Sequence, residues 1–543
     1  MPRLRGHWPL VAAVLLAMLP ALAAPLLVPG FVTQDGSAHL YNAEILTRTL
    51  RGDPEFSPYY EVRKEPLPNW SGHLLTMAML AAFSPTWADR LLIVAMALGP
   101  ALAFARLRAS VAGDGSPWMV AAVSAMLALN ITWLWGFNSF LLGVCLFPLT
   151  LAFWWSRRDR MGPGAALALA SLLILGYFCH LISLGLTGLG LVTLCLATPG
   201  LDRRRLTWTI AGLAPMVPLA LFYRSMTRRA ASPFMPDWQY LSTPFSPRAW
   251  LAQVGWVDPI SLASRVTLPF VPGTSRFYGL LTPVVPFGLA VAILAASTLW
   301  RRRSLRVSPW AVLGGFLCLA GFVGPDSFGE AHGQYLPQRV MLLGLVALLP
   351  WLDLAVDSPA RRLAAALLAL ALVVQTATIW DYAGRSARTA GVFQSSAVRE
   401  AVGKGRRVGT LLTDIKSPFR GNPVLHADNW LGLGTGNILW SNYETRHYYF
   451  PVQFRANLVR PPAYDFEAVA LLGDDPAARA RRWLELIDRY APVIDVLLVW
   501  GDDPALDEIN ARWYEPVYRE GPLRVLRRRD AGRAAENDPP GPR

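Results

Sequence analysis

Thr33-Gln34-Asp35-Gly36-Ser37-Ala38-His39-Leu40-Tyr41-Asn42-Ala43-Glu44 opens a stretch that runs on to Lys64-Glu65-Pro66-Leu67-Pro68-Asn69-Trp70-Ser71-Gly72-His73. It follows a long apolar segment directly, yet it carries Asp35, His39, Glu44, Asp53, Glu55, Glu61, Arg63, Lys64 and Glu65 before the next apolar segment begins. Helix connections in compact bundles need only a few residues. A loop this long and this polar, set between two segments that belong in lipid, reads as the place where the chain keeps its chemistry.

The flanking segments decide the fold class. Of 543 residues, 53% are hydrophobic and only 16% charged, and the mean hydropathy is +0.32; such a chain is an integral membrane protein. A net charge of +14 would in a soluble chain raise the question of nucleic acid. Here much of the arginine sits in tight clusters between apolar runs, so the charge is a topology signal and the expected contacts are membrane lipids, with no nucleic acid. Cys145, Cys179, Cys195 and Cys318 all lie inside apolar runs, which argues against a disulfide framework or zinc cluster and for small core residues.

Runs of span length, roughly 17 to 25 residues, fall near 8–32, 88–105, 117–134, 139–156, 206–223, 279–299, 308–323, 338–355 and 361–380. The apolar stretch 164–198 is long enough for two, and Gly176-Tyr177-Phe178-Cys179-His180 interrupts it in the middle, so about eleven spans are expected. Placing Arg3 and Arg5 in the cytoplasm puts the clusters at 106–108, 157–160, 203–205, 301–306 and 361–362 on the same side, as the positive-inside rule requires. Residues 8–32 then act as an uncleaved signal anchor of an inner or plasma membrane protein. The N-terminus is cytoplasmic and the chain beyond Asp381 lies outside. The outer loops are 33–87, the turn 135–138, the turn at His180, 224–277 and 324–339.

Beyond residue 385 the composition changes. Residues 408–412 and 494–500 read as short buried strands, 475–490 as an amphipathic helix and 513–528 as a closing hairpin across Glu520-Gly521-Pro522. The expected architecture is an all-α polytopic membrane bundle over 1–384, with the first outer loop at 33–87. An extracytoplasmic α/β domain over 385–530 and a disordered tail over 531–543 complete it.

The order of the 33–73 stretch resembles the first extracytoplasmic loop of the multispanning GT-C glycosyltransferases, among them the protein mannosyltransferases and aminoarabinose transferases. Asp35 stands for the loop's acid, Tyr41, Ala43 and Glu44 for its aromatic-Ala-acid helix, and Lys64, Pro66, Leu67 and Trp70 for its Lys-Pro-Pro-Leu-aromatic-Trp turn. Gly36 replaces a second acid and Glu65 the first proline of the turn. The resemblance implies an enzyme that moves a sugar from a polyprenyl-phosphate donor to an extracytoplasmic glycan, lipid or protein acceptor.

Each candidate residue carries two readings. Asp35 accepts the proton of an attacking hydroxyl or holds a divalent ion, or else caps the helix that follows it. His39, four residues on, shares its helical face and joins it either as a metal ligand or as a hydrogen-bonding partner; a metal held by Asp35 and His39 would be Mg2+ or Mn2+. Glu44 returns toward that face or pairs with Arg48. Lys64 and Arg339 hold the donor phosphate, or meet lipid headgroups. Trp70 closes the turn and is expected to contact substrate, and Asn138 and His180, at outer span ends, contact substrate or a neighbouring helix. Glu330 and His332 share the loop that ends at Arg339 and are expected near the substrate. Two other classes stay open. One is a transporter or flippase of a lipid-linked substrate, disfavoured by the near absence of midplane charge and of an internal repeat. The other is a catalytically inactive scaffold, which the missing second acid at Gly36 keeps in view.

Overall fold

The structure, a computed structural model, describes residues 8–529 except 114, 201, 230–281, 303–307, 325–334, 416, 418, 420, 464, 465, 467, 468 and 470–474. Among the described residues six helices are long and apolar enough to cross a membrane: Trp8–Leu27, Pro85–Ala112, Asn138–Arg160, Arg203–Met226, Val284–Arg302 and Pro359–Arg388. Shorter apolar helices occupy Pro117–Ala128, Pro163–Cys179, Leu181–Ala197, Pro309–Val323 and Leu336–Leu348. The chain is an integral membrane protein, mostly helical, with a β-sheet region toward its C-terminus. The expected loop 224–277 and tail 531–543 lie largely or wholly outside the described residues.

The chain forms two compact units. The first holds Met1–Ala24, Pro66–Gly72 and Leu91–Asp381, and the second holds Pro25–Glu65, His73–Arg90 and Tyr382–Arg543. Most of the polar loop 33–87 therefore folds in the same unit as the tail.

In the first unit the long apolar stretch 164–198 is two helices. His180, in an extended conformation, ends Pro163–Cys179 and begins Leu181–Ala197, its Nδ1 accepting from the Ile182 amide at 3.2 Å. Two buried indole N–H groups find acceptors: Trp133 Nε1 donates to the Ile93 carbonyl and Trp154 Nε1 to Thr209 Oγ1, both at 2.8 Å. Helices Pro309–Val323 and Leu336–Leu348 pack backbone to backbone through small residues. A methyl group on Gly321 would lie 2.7 Å from the Met341 nitrogen, and one on Gly344 would lie 2.7 Å from the Cys318 nitrogen. Three arginines of the clusters assigned to the cytoplasmic side are anchored within this unit. Arg301 and Arg361 pair with Asp353 and Asp357, and Arg108 donates to the Pro350 carbonyl at 3.0 Å.

The second unit is built on a five-stranded mixed sheet. Its strands are β2 (Arg407–Leu412), β3 (Ile438–Leu439), β5 (Val496–Trp500), β6 (Tyr514–Glu520) and β7 (Leu523–Arg528), in the order β3-β2-β5-β7-β6. β2 runs parallel to β3 and β5, while β7 is antiparallel to β5 and β6. β2 and β5 are the apolar runs read as buried strands, and the β6–β7 hairpin turns at Gly521, whose φ of +58° only glycine adopts without cost. The helix Pro476–Tyr490 is capped by Asp475, whose side chain accepts from the Ala477 amide at 2.9 Å, and its Trp483 is fully buried, donating to Asn510 Oδ1 at 2.8 Å. Arg407 grips Asp495 with two bonds, at 3.0 and 2.7 Å, at the start of the β2–β5 pair.

A second, two-stranded sheet joins the loop to the tail: β1 (Tyr60–Val62) pairs antiparallel with β4 (Val452–Phe454). Beside it the helix Gly36–Leu50 is buried along most of its length. Its Tyr41 hydroxyl donates to the Asn437 carbonyl at 2.6 Å, and its ring fills the space over Gly432, where a methyl group would sit 2.4 Å from the ring carbon Cε2. The loop is thus a packed part of the unit, held by contacts nearly 400 positions apart in sequence.

Candidate active site

Asp35 immediately precedes the helix Gly36–Leu50 without capping it: its backbone is helical, with φ −97° and ψ −5°, and its side chain makes no cap hydrogen bond. The carboxylate, 7% exposed, accepts instead from the Tyr443 hydroxyl at 3.1 Å and from Gln34 Nε2 at 3.3 Å. Burial pushes its pKa above the ordinary value, and the neighbouring His426 and His39, with the bonds from Gln34 and Tyr443, oppose that push without cancelling it. His426 stacks on Tyr443 with ring centroids 4.2 Å apart. A buried carboxylate held by two donors and raised in basicity is suited to accept a proton.

One helical turn further, His39 turns away from solvent toward Glu444. His39 Nδ1 lies 2.5 Å from Glu444 Oε1, and His73 Nε2 lies 2.6 Å from the other oxygen, Oε2. Glu444 is fully buried and His73 is 1% exposed. Burial alone would raise the Glu444 carboxyl, but the two imidazoles outweigh it and hold the group well below the carboxylate range. An ionised carboxylate only accepts, so both facing ring nitrogens carry protons when no ion is bound.

Glu44 accepts from the Gly434 amide through both oxygens, at 3.0 and 2.9 Å, and lies 3.5 Å from Arg48 one turn on. Burial raises its pKa, opposed chiefly by that amide and by Arg48. Arg48 also binds Asp53 at 2.8 Å and Glu55 at 2.5 Å. Glu44 is therefore engaged both by the 432–436 turn and by Arg48. Lys64 is exposed in the segment after β1.

The remaining candidates belong to the first unit. Arg339, 8% exposed in the first turn of Leu336–Leu348, places Nη1 3.0 Å from His180 Nε2. Its guanidinium lies over the rings of Phe137 and Phe140, at 4.9 and 5.0 Å, and Phe140 meets the His180 ring edge-on at 5.2 Å. Asn138 begins the helix that carries Phe140 and is buried, and Trp70, half-buried, begins Trp70–Ala82. Arg339, His180 and the 137–140 segment form a cationic, aromatic-walled cluster. Glu330 and His332 lie outside the described residues.

No family model matches the chain, and no curated protein matches it. Solved structures do. ArnT from Cupriavidus metallidurans in the apo state matches with 13% identity and a TM-score of 0.51, over 95% of this chain and 97% of that one. ArnT from the same organism bound to undecaprenyl phosphate matches with 14% identity and a TM-score of 0.51, over 96% of this chain and 98% of that one. The chain is similar in fold to ArnT. At this identity the likeness is one of fold, and it runs through the membrane helices and the C-terminal region alike.

Sequence reading singled out Asp35 and His39 but missed Tyr443, Glu444 and His73 as their partners. His73 closes the 33–73 stretch, and Tyr443-Glu444 stands in a tail segment dense in aromatics, 440–450. Neither carries a spacing that would tie it to His39.

Proposed function

We propose that the protein is an integral membrane glycosyltransferase that moves a sugar from a polyprenyl-phosphate donor to an extracytoplasmic acceptor. The observation that carries this reading is Asp35: a buried acid, raised in basicity, that does not cap the helix it precedes and is held by Tyr443 and Gln34. The role left to such a group is to accept the proton of the attacking hydroxyl or amine as the sugar leaves its phosphate. In support, one of the similar ArnT structures is bound to undecaprenyl phosphate, and the likeness covers 96% of this chain. Arg339, with aromatic rings on its faces and His180 at its edge, is the kind of planar cation that binds a phosphate, and Lys64 is an exposed cation of the polar loop. His39 and Glu44 support the helix behind Asp35. In this reading the N-terminus is cytoplasmic and the Asp35 unit faces the periplasm or cell exterior.

The test is transfer of radiolabelled sugar from a panel of polyprenyl-phosphate sugars, in membranes carrying the wild-type chain or Asp35→Asn. Transfer by the wild type that disappears in the variant, with both proteins inserted and folded, is the expected result. Donor binding without transfer for every sugar tried overturns the enzyme reading in favour of a scaffold, and translocation of the donor in liposomes overturns it in favour of a flippase.

A further inference from the structure

His39, His73 and Glu444 come from three separate stretches of chain and converge in the interior of one unit, each buried, with one nitrogen or oxygen of each within 4.8 Å of the others. We propose that these three side chains form a binding site for a divalent transition-metal ion of zinc's ligand preference. Two imidazoles and one carboxylate are the donor set of an open tetrahedral zinc site, in which three protein ligands leave a fourth position for water. The same set is a poor host for Mg2+, which demands oxygen ligands and keeps most of its water. The site therefore differs both in residues and in metal from the Asp35–His39 pair with Mg2+ or Mn2+ that spacing alone would draw.

The surroundings fit a held cation. Phe450 walls the site, with its ring centroid 6.5 Å from that of His39 and 5.7 Å from that of His73; an apolar wall of this kind strengthens coordination and limits exchange. The two imidazoles meet edge to face at 5.7 Å, so their nitrogens approach Glu444 from different directions instead of stacking. On binding, each neutral imidazole moves its proton to its other ring nitrogen, and an imidazolium releases one to solvent.

The consequence reaches Asp35. The His39 amide donates to the Asp35 carbonyl at 3.1 Å, one helical turn apart, and Tyr443, which holds the Asp35 carboxylate, is the neighbour of Glu444 in sequence. An ion at His39, His73 and Glu444 ties the helical turn that begins at Asp35 to the segment that carries Tyr443. It acts as a positioning element and does not require that the transferase reading be correct.

The experiment is metal analysis of the full-length protein purified in detergent without chelator, incubated with equimolar Zn2+ and freed of unbound ion by gel filtration, followed by X-ray absorption at the zinc edge. The expected result is about one ion per chain with imidazole and oxygen ligands. Retention should fall at least about tenfold in His73→Gln and in Glu444→Gln, and Mg2+ should fail to compete. A wild-type protein that retains no zinc, or retains it without imidazole scattering at the edge, overturns the proposal, as do variants that bind as well as wild type. If either variant does not fold, the absorption spectrum of the wild type decides alone. Because no donor or acceptor enters the measurement, its failure leaves the transferase reading standing, and absence of transfer leaves the metal site standing.

Discussion

Asp35→Asn separates chemistry from packing at the candidate active site. The amide has nearly the size of the carboxylate; its oxygen keeps the 3.1 Å bond from the Tyr443 hydroxyl to Oδ2, while its NH2 replaces Oδ1 and gives up only the longer, 3.3 Å bond from Gln34. Burial already raises the Asp35 carboxyl above its ordinary 3.8, which means that the folded state disfavours the charge; removing it leaves stability unchanged or improves it. A positioned general base contributes about 100- to 10,000-fold, equal to about 2.7 to 5.5 kcal/mol of barrier. Single-turnover transfer by purified protein in detergent should therefore slow by that factor, while the melting temperature stays within about 3 °C and donor affinity within about threefold. A folded variant that transfers sugar within about threefold of wild type would remove Asp35 from the chemistry. A variant that melts far below wild type would show that the carboxylate is structural.

Other perturbations test other links. Arg339→Gln should weaken polyprenyl-phosphate binding by about 10- to 100-fold, the worth of one charged hydrogen-bonded contact, as read by a fluorescent-lipid titration; unchanged affinity would take the phosphate role from Arg339. Gly321→Leu should destabilise the protein by about 1 to 3 kcal/mol through overpacking, because even a methyl group there meets the Met341 nitrogen at 2.7 Å; a thermal melt in detergent equal to wild type would contradict the close helix crossing. Asp495 is pushed up by burial but held below its ordinary 3.8 by the bonds and charge of Arg407, with Arg528 adding to it. Its stabilisation is thus fully present above about pH 4 and lost as pH falls through the lowered value. Asp495→Asn should melt lower than wild type at neutral pH, by about 1 to 3 kcal/mol, and the gap should close on acidification; a gap independent of pH would contradict the ion pair.

How much of this was legible in the chain differs from residue to residue. The break at His180 was readable because helix interruption is local and Gly176 to His180 carries its signature. The strands Arg407–Leu412 and Val496–Trp500 were readable because a short, continuously apolar run between turn residues has few other solutions. Asp35 was readable as a polar residue in a suspicious place, but its two roles were not distinguishable: whether an acid before a helix caps it depends on a backbone angle and on what else reaches the carboxylate. Glu44 shows the same limit, since the Gly434 amide that occupies it lies 390 positions away.

Sequence alone determined residence in the membrane and the change of character beyond residue 385, because hydropathy and composition are properties of consecutive residues. Tertiary structure alone decided that His39 faces Glu444 across 405 positions and that His73 faces it across 371. The physical reason is that helical periodicity relates residues only within a few turns of one another. A convergent cluster of buried charge is produced instead by packing elements whose order in the chain leaves no spacing to read.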